Sequence, residues 1–194
     1  MTTILRLDSS ASGDSSVTNS LSDLLIETLS ATEQRVDLIQ RDLTALPALN
    51  NDLLSANNAP ESERSPAQVE LAETADAIIA ELEAADIVVI GAPIYNFGVP
   101  SGVKAWMDLA ARAGRTFDYT ESGPAGRLLG KKAYVVSASG GVQLGSEADF
   151  ATPHLTVFLN FLGITDVNLI DAGGLLMDES KFGKAQDQIR ALAA

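Results

Sequence analysis

Two hydrophobic periodicities alternate along the chain. Short apolar runs rich in β-branched residues indicate strands, and each is followed by a stretch in which apolar residues recur every three or four positions, as in an amphipathic helix. The clearest strand is residues 86–92, which after Asp86 form a continuous apolar run, as expected for a strand covered on both faces. The predicted strands are residues 4–7, 35–43, 86–92, 132–137 and 166–171.

Helical spacing follows each of these strands. One predicted helix starts at Val17, and its buried positions are Leu21, Leu24, Leu25 and Leu29. Pro66 suits the first turn of a second helix. The predicted buried face of that helix is Val69, Ala72, Ala75, Ile78, Ile79 and Leu82. The remaining predicted helices are residues 103–112, 152–162 and 179–192.

Two segments lack either periodicity. Residues 45–65 contain Pro47, Pro60 and many Asn, Ser and Glu residues, which is typical of a long connection. Residues 114–130 are also loop-like, although Phe117 and Tyr119 alternate as they would in a β-hairpin.

Strand and helix alternate five times, which predicts an α/β fold with a parallel sheet and helices on both faces. The whole chain, residues 1–194, is expected to form a single domain. Five strands favour a flavodoxin-like three-layer sandwich with strand order 2-1-3-4-5 over the six-stranded dinucleotide-binding fold. The fold alone does not determine a function.

Charge and composition narrow the classes of partner. The chain has 26 acidic and 13 basic residues, and the net charge of −13 disfavours binding to nucleic acid or to an anionic membrane. No apolar run approaches the roughly 18 residues that span a bilayer. The chain contains no cysteine, which excludes disulfides and thiolate metal sites, and its N-terminus does not resemble a signal peptide. A cytoplasmic location is therefore expected, with no metal.

Three loops are unusually rich in hydroxyl, aromatic or glycine residues. They follow strands 1, 3 and 4, which are neighbours in a sheet of order 2-1-3-4-5. They are residues 9–18, 93–98 and 137–141. Because ligands of such sheets bind outside the carboxyl ends of the strands, next to the switch point, we expect these loops to converge on one site.

The first loop is rich in hydroxyl groups just before a helix. Ser10, Ser15, Ser16 and Thr18 are able to donate to phosphate oxygens, together with the first N–H groups of the helix. A helix cap would also explain a Ser here. Neither GxxxxGK[ST] nor GxGxxG is present, and the loop contains no Lys or Arg. These features favour a single phosphomonoester held by hydrogen bonds.

The other two loops suit a flat ring. Tyr95, Asn96 and Phe97 follow the strongest strand, where aromatic groups would cover either a planar heterocycle or the core beneath the loop. Gly140 and Gly141 allow either close approach of the backbone to a ligand or a tight turn.

Other conspicuous residues are predicted to be structural. Trp106 is expected in the core or at an interface, and His154, the only histidine, lies outside the three loops. Arg112 and Arg115 are expected to pair with nearby acids or to meet a partner subunit. The helical spacing of Phe158, Leu159 and Leu162 predicts that these side chains lie in the core.

The chain resembles the FMN-dependent NADH:quinone oxidoreductases, also called FMN-dependent azoreductases, nearly from end to end. The matching segments are Leu7-Asp8-Ser9-Ser10, Ser16-Val17-Thr18-Asn19, Ala92-Pro93-Ile94-Tyr95-Asn96-Phe97, Ala111-Arg112-Ala113-Gly114, Thr116-Phe117-Asp118-Tyr119-Thr120, Gly130-Lys131-Lys132, Ser139-Gly140-Gly141 and Phe161-Leu162-Gly163-Ile164. The resemblance implies a homodimer with bound FMN, NADH or NADPH as electron donor, and a quinone or azo compound as acceptor.

The resemblance also implies which residues bind the cofactor. Ser10, Ser16, Val17 and Thr18 would hold the phosphate and ribityl chain. The ring would be lined on one side by Ile94, Tyr95, Asn96 and Phe97, and on the other by Ala138, Ser139, Gly140 and Gly141. The reaction would be ping-pong hydride transfer through flavin N5, with no catalytic side chain. Some family members carry bulkier or basic residues at the positions of Ala138 and Ser139, so the choice between NADH and NADPH stays open.

Two other functions share parts of this pattern. An electron-carrier flavodoxin binds FMN in similar loops but typically lacks insertions such as residues 45–65 and 114–130. A phosphoacceptor receiver domain would need an Asp after strand 3 and a Lys after strand 5. The chain instead has Gly91-Ala92-Pro93 and Asp171-Ala172-Gly173 at these points, which disfavours a receiver domain.

Overall fold

Parallel strands form the centre of the molecule, and helices cover both faces of the sheet. The structure is a computed structural model that describes residues 1–193. The strands are β1 (Thr2–Asp8), β2 (Val36–Asp42), β3 (Ile87–Gly91), β4 (Phe117–Thr120), β5 (Gly123–Gly126), β6 (Lys132–Ala138) and β7 (Asp166–Ala172). The α-helices are α1 (Val17–Thr32), α2 (Asn51–Asn58), α3 (Pro66–Ala84), α4 (Ser101–Ala110), α5 (Ala151–Leu162) and α6 (Ser180–Arg190). Short 3-10 turns occupy Gly13–Ser15, Glu61–Glu63 and Ala191–Ala193.

The main sheet confirms the predicted topology. Its five strands are all parallel and lie in the order β2-β1-β3-β6-β7, which is 2-1-3-4-5 when only the strands of this sheet are counted. The register pairs Asp8 with Gly91, and Gly91 with Val136. The carboxyl ends of β1, β3 and β6 therefore lie side by side, and so do the loops that leave them.

Each face of the sheet has its own hydrophobic core, which makes the fold a three-layer sandwich. On one face, Leu21, Leu25 and Leu29 of α1 and Ile189 of α6 pack over Ile4 and its neighbours. On the other face, α3, α4 and α5 cover a core that includes Leu5, Leu7, Val88 and Ile90. The alternation of sheet residues between the two cores follows from the period of two in a strand.

Two details of the helical prediction are wrong. Residues 45–65, predicted to be a long connection, contain helix α2 and a 3-10 turn. Helix α2 forms because the Asn50 side chain caps it, accepting from the Leu53 N–H at 2.9 Å, and because Leu53 and Ala56 are buried. Val69, assigned to a buried face, is 54% exposed. Burial in α3 begins only at Ala72, since its first turn precedes the part that packs on the core.

The predicted hairpin is confirmed. Strands β4 and β5 pair antiparallel, with Phe117 opposite Gly126. A Cβ added to Gly126 would lie 2.1 Å from the Gly163 nitrogen, so only glycine allows the hairpin to approach the end of α5 this closely. Phe117 also contacts Phe161 of α5, with ring centroids 4.6 Å apart.

Within residues 1–193, no helix combines the length and the apolarity that a membrane span requires.

Candidate functional site

A cleft of about 310 Å³ lies at the carboxyl ends of β1, β3 and β6, where the sheet topology predicts a site. It is lined by Ser10, Ser12, Ser15, Ser16, Val17, Thr18, Pro93, Ile94, Tyr95, Ala138, Ser139, Gly140 and Leu175. The three loops therefore converge as expected. One end of the cleft is rich in hydroxyl groups, and the rest is largely apolar or backbone.

Hydroxyl groups at the ends of the strands hold the loops together. Ser9 Oγ donates to the Gly91 carbonyl at 2.6 Å, which joins the first loop to the end of β3. Ser137 Oγ donates to the Ala92 carbonyl at 3.0 Å. The Ile94 N–H donates to the Ala138 carbonyl at 2.8 Å, so the second and third loops share a backbone hydrogen bond.

The hydroxyl-rich end of the cleft is the N-terminus of α1. Ser16 is the N-cap, and its Oγ accepts from the Asn19 N–H at 3.1 Å. Thr18 Oγ1 lies 3.1 Å from Ser16 Oγ. N–H groups in the first turn of a helix have no acceptor within the helix, so those of Val17 and Thr18 are available to an anion. A capping role and an anion-binding role for Ser16 are thus compatible.

Arg6 orients this helix without lining the cleft. Its guanidinium contacts Asp8 Oδ2 at 2.8 Å and Asp23 Oδ1, and so links β1 to α1. Two carboxylates neutralise this cation. Of the described residues that line the cleft, none is charged, in agreement with a loop that binds its ligand by hydrogen bonds alone.

Tyr95 connects the second loop to the first. Its hydroxyl accepts from the Ala11 N–H at 3.0 Å and lies 3.5 Å from Ser10 Oγ. Burial opposes ionisation of the phenol, yet the hydrogen bonds to Ser10 and Ala11 hold the pKa of Tyr95 below its usual value. The side chain thereby forms a wall of the cleft.

Asn96 and Phe97 form the tip of a two-residue turn rather than a wall of the cleft. Tyr95 and Gly98 pair across this turn, with N–H···O distances of 3.1 Å in both directions. Asn96 and Phe97 both have positive φ angles, 49° and 72°, which is costly for residues other than glycine and is common at ligand sites. Phe97 is 56% exposed at the rim.

In the third loop, the Ser139 hydroxyl organises the turn. Ser139 Oγ donates to the Val142 carbonyl and accepts from the Val142 N–H at 2.9 Å and from the Gly174 N–H at 3.3 Å. Ala138, Ser139 and Gly140 line the cleft, whereas Gly141 is exposed beside it.

Sequence reasoning missed a fourth wall. Leu175, in the loop after β7, lines the cleft and is held there by its N–H, which donates to the Ser139 carbonyl at 3.0 Å. The Leu176 N–H donates to the Gly140 carbonyl at 2.9 Å, so this loop runs along the third loop. The pair Gly173-Gly174 after the fifth strand is the signal that could have indicated it.

The residues predicted to be structural lie outside the cleft. Trp106 is fully buried and packs edge-on against Phe158, with centroids 5.6 Å apart, which makes it a core residue. His154 is exposed on α5. Arg112 and Arg115 pair with acids, as predicted: Arg112 with Asp76, and Arg115 with Glu61 and Glu83.

Comparisons with known proteins agree with this geometry. A sequence profile of the flavodoxin-like fold matches residues 2–194. An FMN-dependent NADH:quinone oxidoreductase of Erythrobacter litoralis (strain HTCC2594) is 49% identical over the full length of both chains. FMN-dependent NADH:quinone oxidoreductase 1 of Jannaschia sp. (strain CCS1) is 47% identical, also over the full length of both.

Solved structures resemble the fold closely. Azoreductase from Bacillus anthracis str. Sterne superimposes with a TM-score of 0.89 at 22% identity, covering 100% of this chain and 99% of that one. An FMN-dependent NADH-azoreductase from Bacillus anthracis str. Ames Ancestor, in complex with FMN, gives a TM-score of 0.84 at 25% identity over the full length of both. The chain therefore belongs to the FMN-dependent NADH:quinone oxidoreductase family, whose members have the flavodoxin-like fold.

Proposed function

We propose that this protein is an FMN-dependent NAD(P)H oxidoreductase that reduces quinones and azo compounds, and that the cleft binds the FMN. The observation that carries the proposal is the cleft itself. Hydroxyls and free N–H groups at the start of α1 face an apolar wall at the carboxyl ends of β1, β3 and β6. The names of the relatives, nearly half identical over their full length, support the same cofactor, donor and acceptor.

The hydroxyl-rich end suits the FMN phosphate. Ser10, Ser16 and Thr18 offer hydroxyl donors, and the N–H groups of Val17 and Thr18 add the positive end of a helix dipole. This arrangement provides several donors and no cation, which suits a monoester better than a triphosphate. Ser15, whose hydroxyl the sequence also offered to the phosphate, lines this end as well, and Ser12 extends the predicted set.

The apolar part suits the isoalloxazine ring. Ile94 and Tyr95 lie on one side of it in this proposal, with Ala138, Ser139 and Gly140 on the other. Leu175 adds a further apolar wall. Asn96, Phe97 and Gly141, also predicted in the site, lie at the rim, where we propose that they cover the ring edge or the bound acceptor.

Bound FMN supplies the two-electron transfer between the nicotinamide and the acceptor. The chain provides the binding, the orientation of the ring and an apolar wall against which a flat acceptor stacks. Apart from the Tyr95 phenol, the described lining residues contain no titratable side chain, so the protons that the acceptor takes up come from water.

The experiment that tests this function is NADH oxidation by the purified protein alone. We expect a yellow protein whose released cofactor chromatographs as FMN and not FAD, and steady oxidation of NADH with a quinone or an azo dye. An electron-carrier flavodoxin, the alternative function, would hold FMN but oxidise NADH only after a separate reductase was added. A colourless protein that fails to bind added FMN would refute both functions.

Because one cleft serves donor and acceptor in turn, double-reciprocal plots against NADH at several quinone concentrations are expected to be parallel. Donor and acceptor are proposed to stack against the same apolar wall of this cleft, so the oxidised nicotinamide has to leave before the acceptor stacks. Lines that intersect would show that donor and acceptor bind at the same time, and would require a second site.

We further propose a homodimer that acts in the cytoplasm. Large apolar side chains surround the mouth of the cleft: Phe97 is 56% exposed, Phe150 is 67% exposed and Leu176 is 87% exposed. The Phe150 N–H donates to the Phe97 carbonyl at 3.1 Å, so two of them are adjacent. A second copy of the chain would cover them. NADH is a metabolite of the cytoplasm, which supports that location.

A further inference from the structure

The loops around the proposed FMN cleft carry acidic side chains and no basic ones. They connect β1 to α1, β3 to α4, β6 to α5 and β7 to α6, and they are residues 9–16, 92–100, 139–150 and 173–179. None of these four segments contains Lys, Arg or His. Their acidic residues are Asp14, Glu147, Asp149, Asp178 and Glu179. A molecule that enters the cleft therefore meets loops with negative charge only.

Two of these acids are compensated by contacts within the chain. Asp178 Oδ2 lies 3.0 Å from Lys184 Nζ. The buried carboxylate of Asp149 accepts from three backbone N–H groups. The other three acids are exposed, and the contacts within residues 1–193 give none of them a basic partner: Asp14, Glu147 and Glu179. Their charges remain available to act on a ligand.

Asp14 adds to the negative charge at the hydroxyl-rich end of the cleft. It lies between Ser12 and Ser15, which both line that end. The FMN phosphate proposed to bind there is itself an anion, held by hydroxyl and N–H donors. Arg6, which orients α1, is already paired with two carboxylates. Bound FMN therefore adds a negative charge that no basic residue of the four loops neutralises.

Glu147 belongs to the loop between β6 and α5, which reaches the mouth of the cleft. Phe150 ends this loop, and its N–H donates to the Phe97 carbonyl at 3.1 Å. Asp149 fixes the loop further, because its carboxylate accepts from the Gly145 N–H at 2.9 Å. Glu147 lies between these two anchored residues, so its carboxylate stays near the mouth.

The rest of the chain does not offset this charge. Most of the 13 basic residues form salt bridges with acids of the same chain, and the net charge is −13. A net charge this far from zero produces a field that repels anions, and a cleft with apolar walls concentrates that field. The proposed dimer would carry twice this charge.

We propose that the cleft selects its electron acceptors by charge: it accepts uncharged or cationic flat quinones and azo compounds and discriminates against anionic ones, such as sulfonates and carboxylates. This inference rests on the function proposed above and names the acceptor class. An anionic group that entered the cleft would lose hydration without gaining a basic partner, and nearby carboxylates and the FMN phosphate would repel it. An uncharged acceptor meets neither cost.

Binding of two matched azo dyes to the oxidised, FMN-loaded protein tests this selection without any reaction. The probes are 4-dimethylaminoazobenzene-4′-sulfonate and its uncharged 4′-sulfonamide, measured by equilibrium dialysis in the absence of NADH. At about 10 mM ionic strength the sulfonate should bind at least about tenfold more weakly than the sulfonamide. At about 150 mM, where the Debye length falls from about 30 Å to about 8 Å, this gap should narrow, while sulfonamide binding stays constant.

Reversal of one charge at the mouth should change the binding of the anionic dye alone. Glu147→Lys should strengthen sulfonate binding about threefold or more at about 10 mM ionic strength and leave sulfonamide binding unchanged. The matched control is Asp37→Lys, which changes the net charge equally at an exposed position of β2. Asp37 pairs with Thr3, at the end of the sheet opposite the cleft, so this variant should bind the sulfonate almost as the parent does.

The proposal is overturned if the sulfonate binds as tightly as the sulfonamide at low ionic strength, or if salt does not change the gap between them. It is also overturned if both lysine variants change sulfonate binding equally, because the effect would then come from net charge and not from the cleft. Failure of the proposed function has a different signature. A protein that binds no FMN, or that reduces neither dye with NADH, would refute that function and this selection together.

Discussion

The Ser16→Asp protein is expected to fold normally and to lose its FMN. Asp is as good an N-cap as Ser, so α1 keeps its cap, and the fold should survive. The new carboxylate, however, would face the FMN phosphate in a cleft whose described lining residues include no charged side chain. Two like charges about 4 Å apart at an effective dielectric constant of about 20 repel by roughly 4 kcal/mol, so FMN affinity should fall at least about 100-fold.

Flavin absorbance per chain after gel filtration measures this loss, and circular dichroism checks the fold. The control is Ser20→Asp, which adds the same charge one turn along α1 at an exposed position that does not line the cleft. That protein should keep its FMN. If Ser16→Asp eluted with a full complement of FMN, the phosphate could not lie at the start of α1, and the orientation proposed for the cofactor would be wrong.

The fold was predictable because its signals are local and repeated. The continuous apolar run at 87–92 is typical of a strand covered on both faces. Leu21, Leu25 and Leu29 supply one helical stripe, and all three are buried as the pattern indicated. Strand order then followed from the number of strands, and the convergence of three loops followed from strand order. Each inference needed only periodicity and topology.

The parts that were missed have weak local signals or depend on contacts distant in sequence. Helix α2 is held by an Asn50 cap and by burial of Leu53 and Ala56, and neither stands out in a polar segment. Leu175 reaches the cleft only because its backbone pairs with Ser139, which lies more than thirty positions earlier in the chain. The exposed turn at Asn96 adopts positive φ, a conformation that residue type alone does not specify.

Substitution of two helical glycines by alanine is expected to have opposite effects on stability. Gly102 is the second residue of α4, and a Cβ there would lie 2.1 Å from the carbonyl oxygen of Leu43 and 2.8 Å from its carbonyl carbon. Both are backbone atoms, and the Leu43 N–H donates to the Asp8 carbonyl at 2.8 Å, at the end of β1. Relief of the clash therefore requires movement of α4 or of the sheet edge, at a cost of about 3 kcal/mol or more.

Gly183 provides the matched comparison, because it lies inside α6 and a Cβ there would meet no described atom within 4 Å. Alanine at this position should stabilise the protein by about 0.5–1 kcal/mol, since glycine loses more backbone entropy in a helix. For a chain of this size, 1 kcal/mol corresponds to roughly 2–4 °C, so Gly102→Ala should lower Tm by at least about 6 °C while Gly183→Ala raises it slightly.

Since α4 directly follows the 93–98 loop, Gly102→Ala should also weaken FMN binding, whereas Gly183→Ala should leave it unchanged. A Gly102→Ala protein as stable as the parent would mean that α4 does not approach Leu43 this closely.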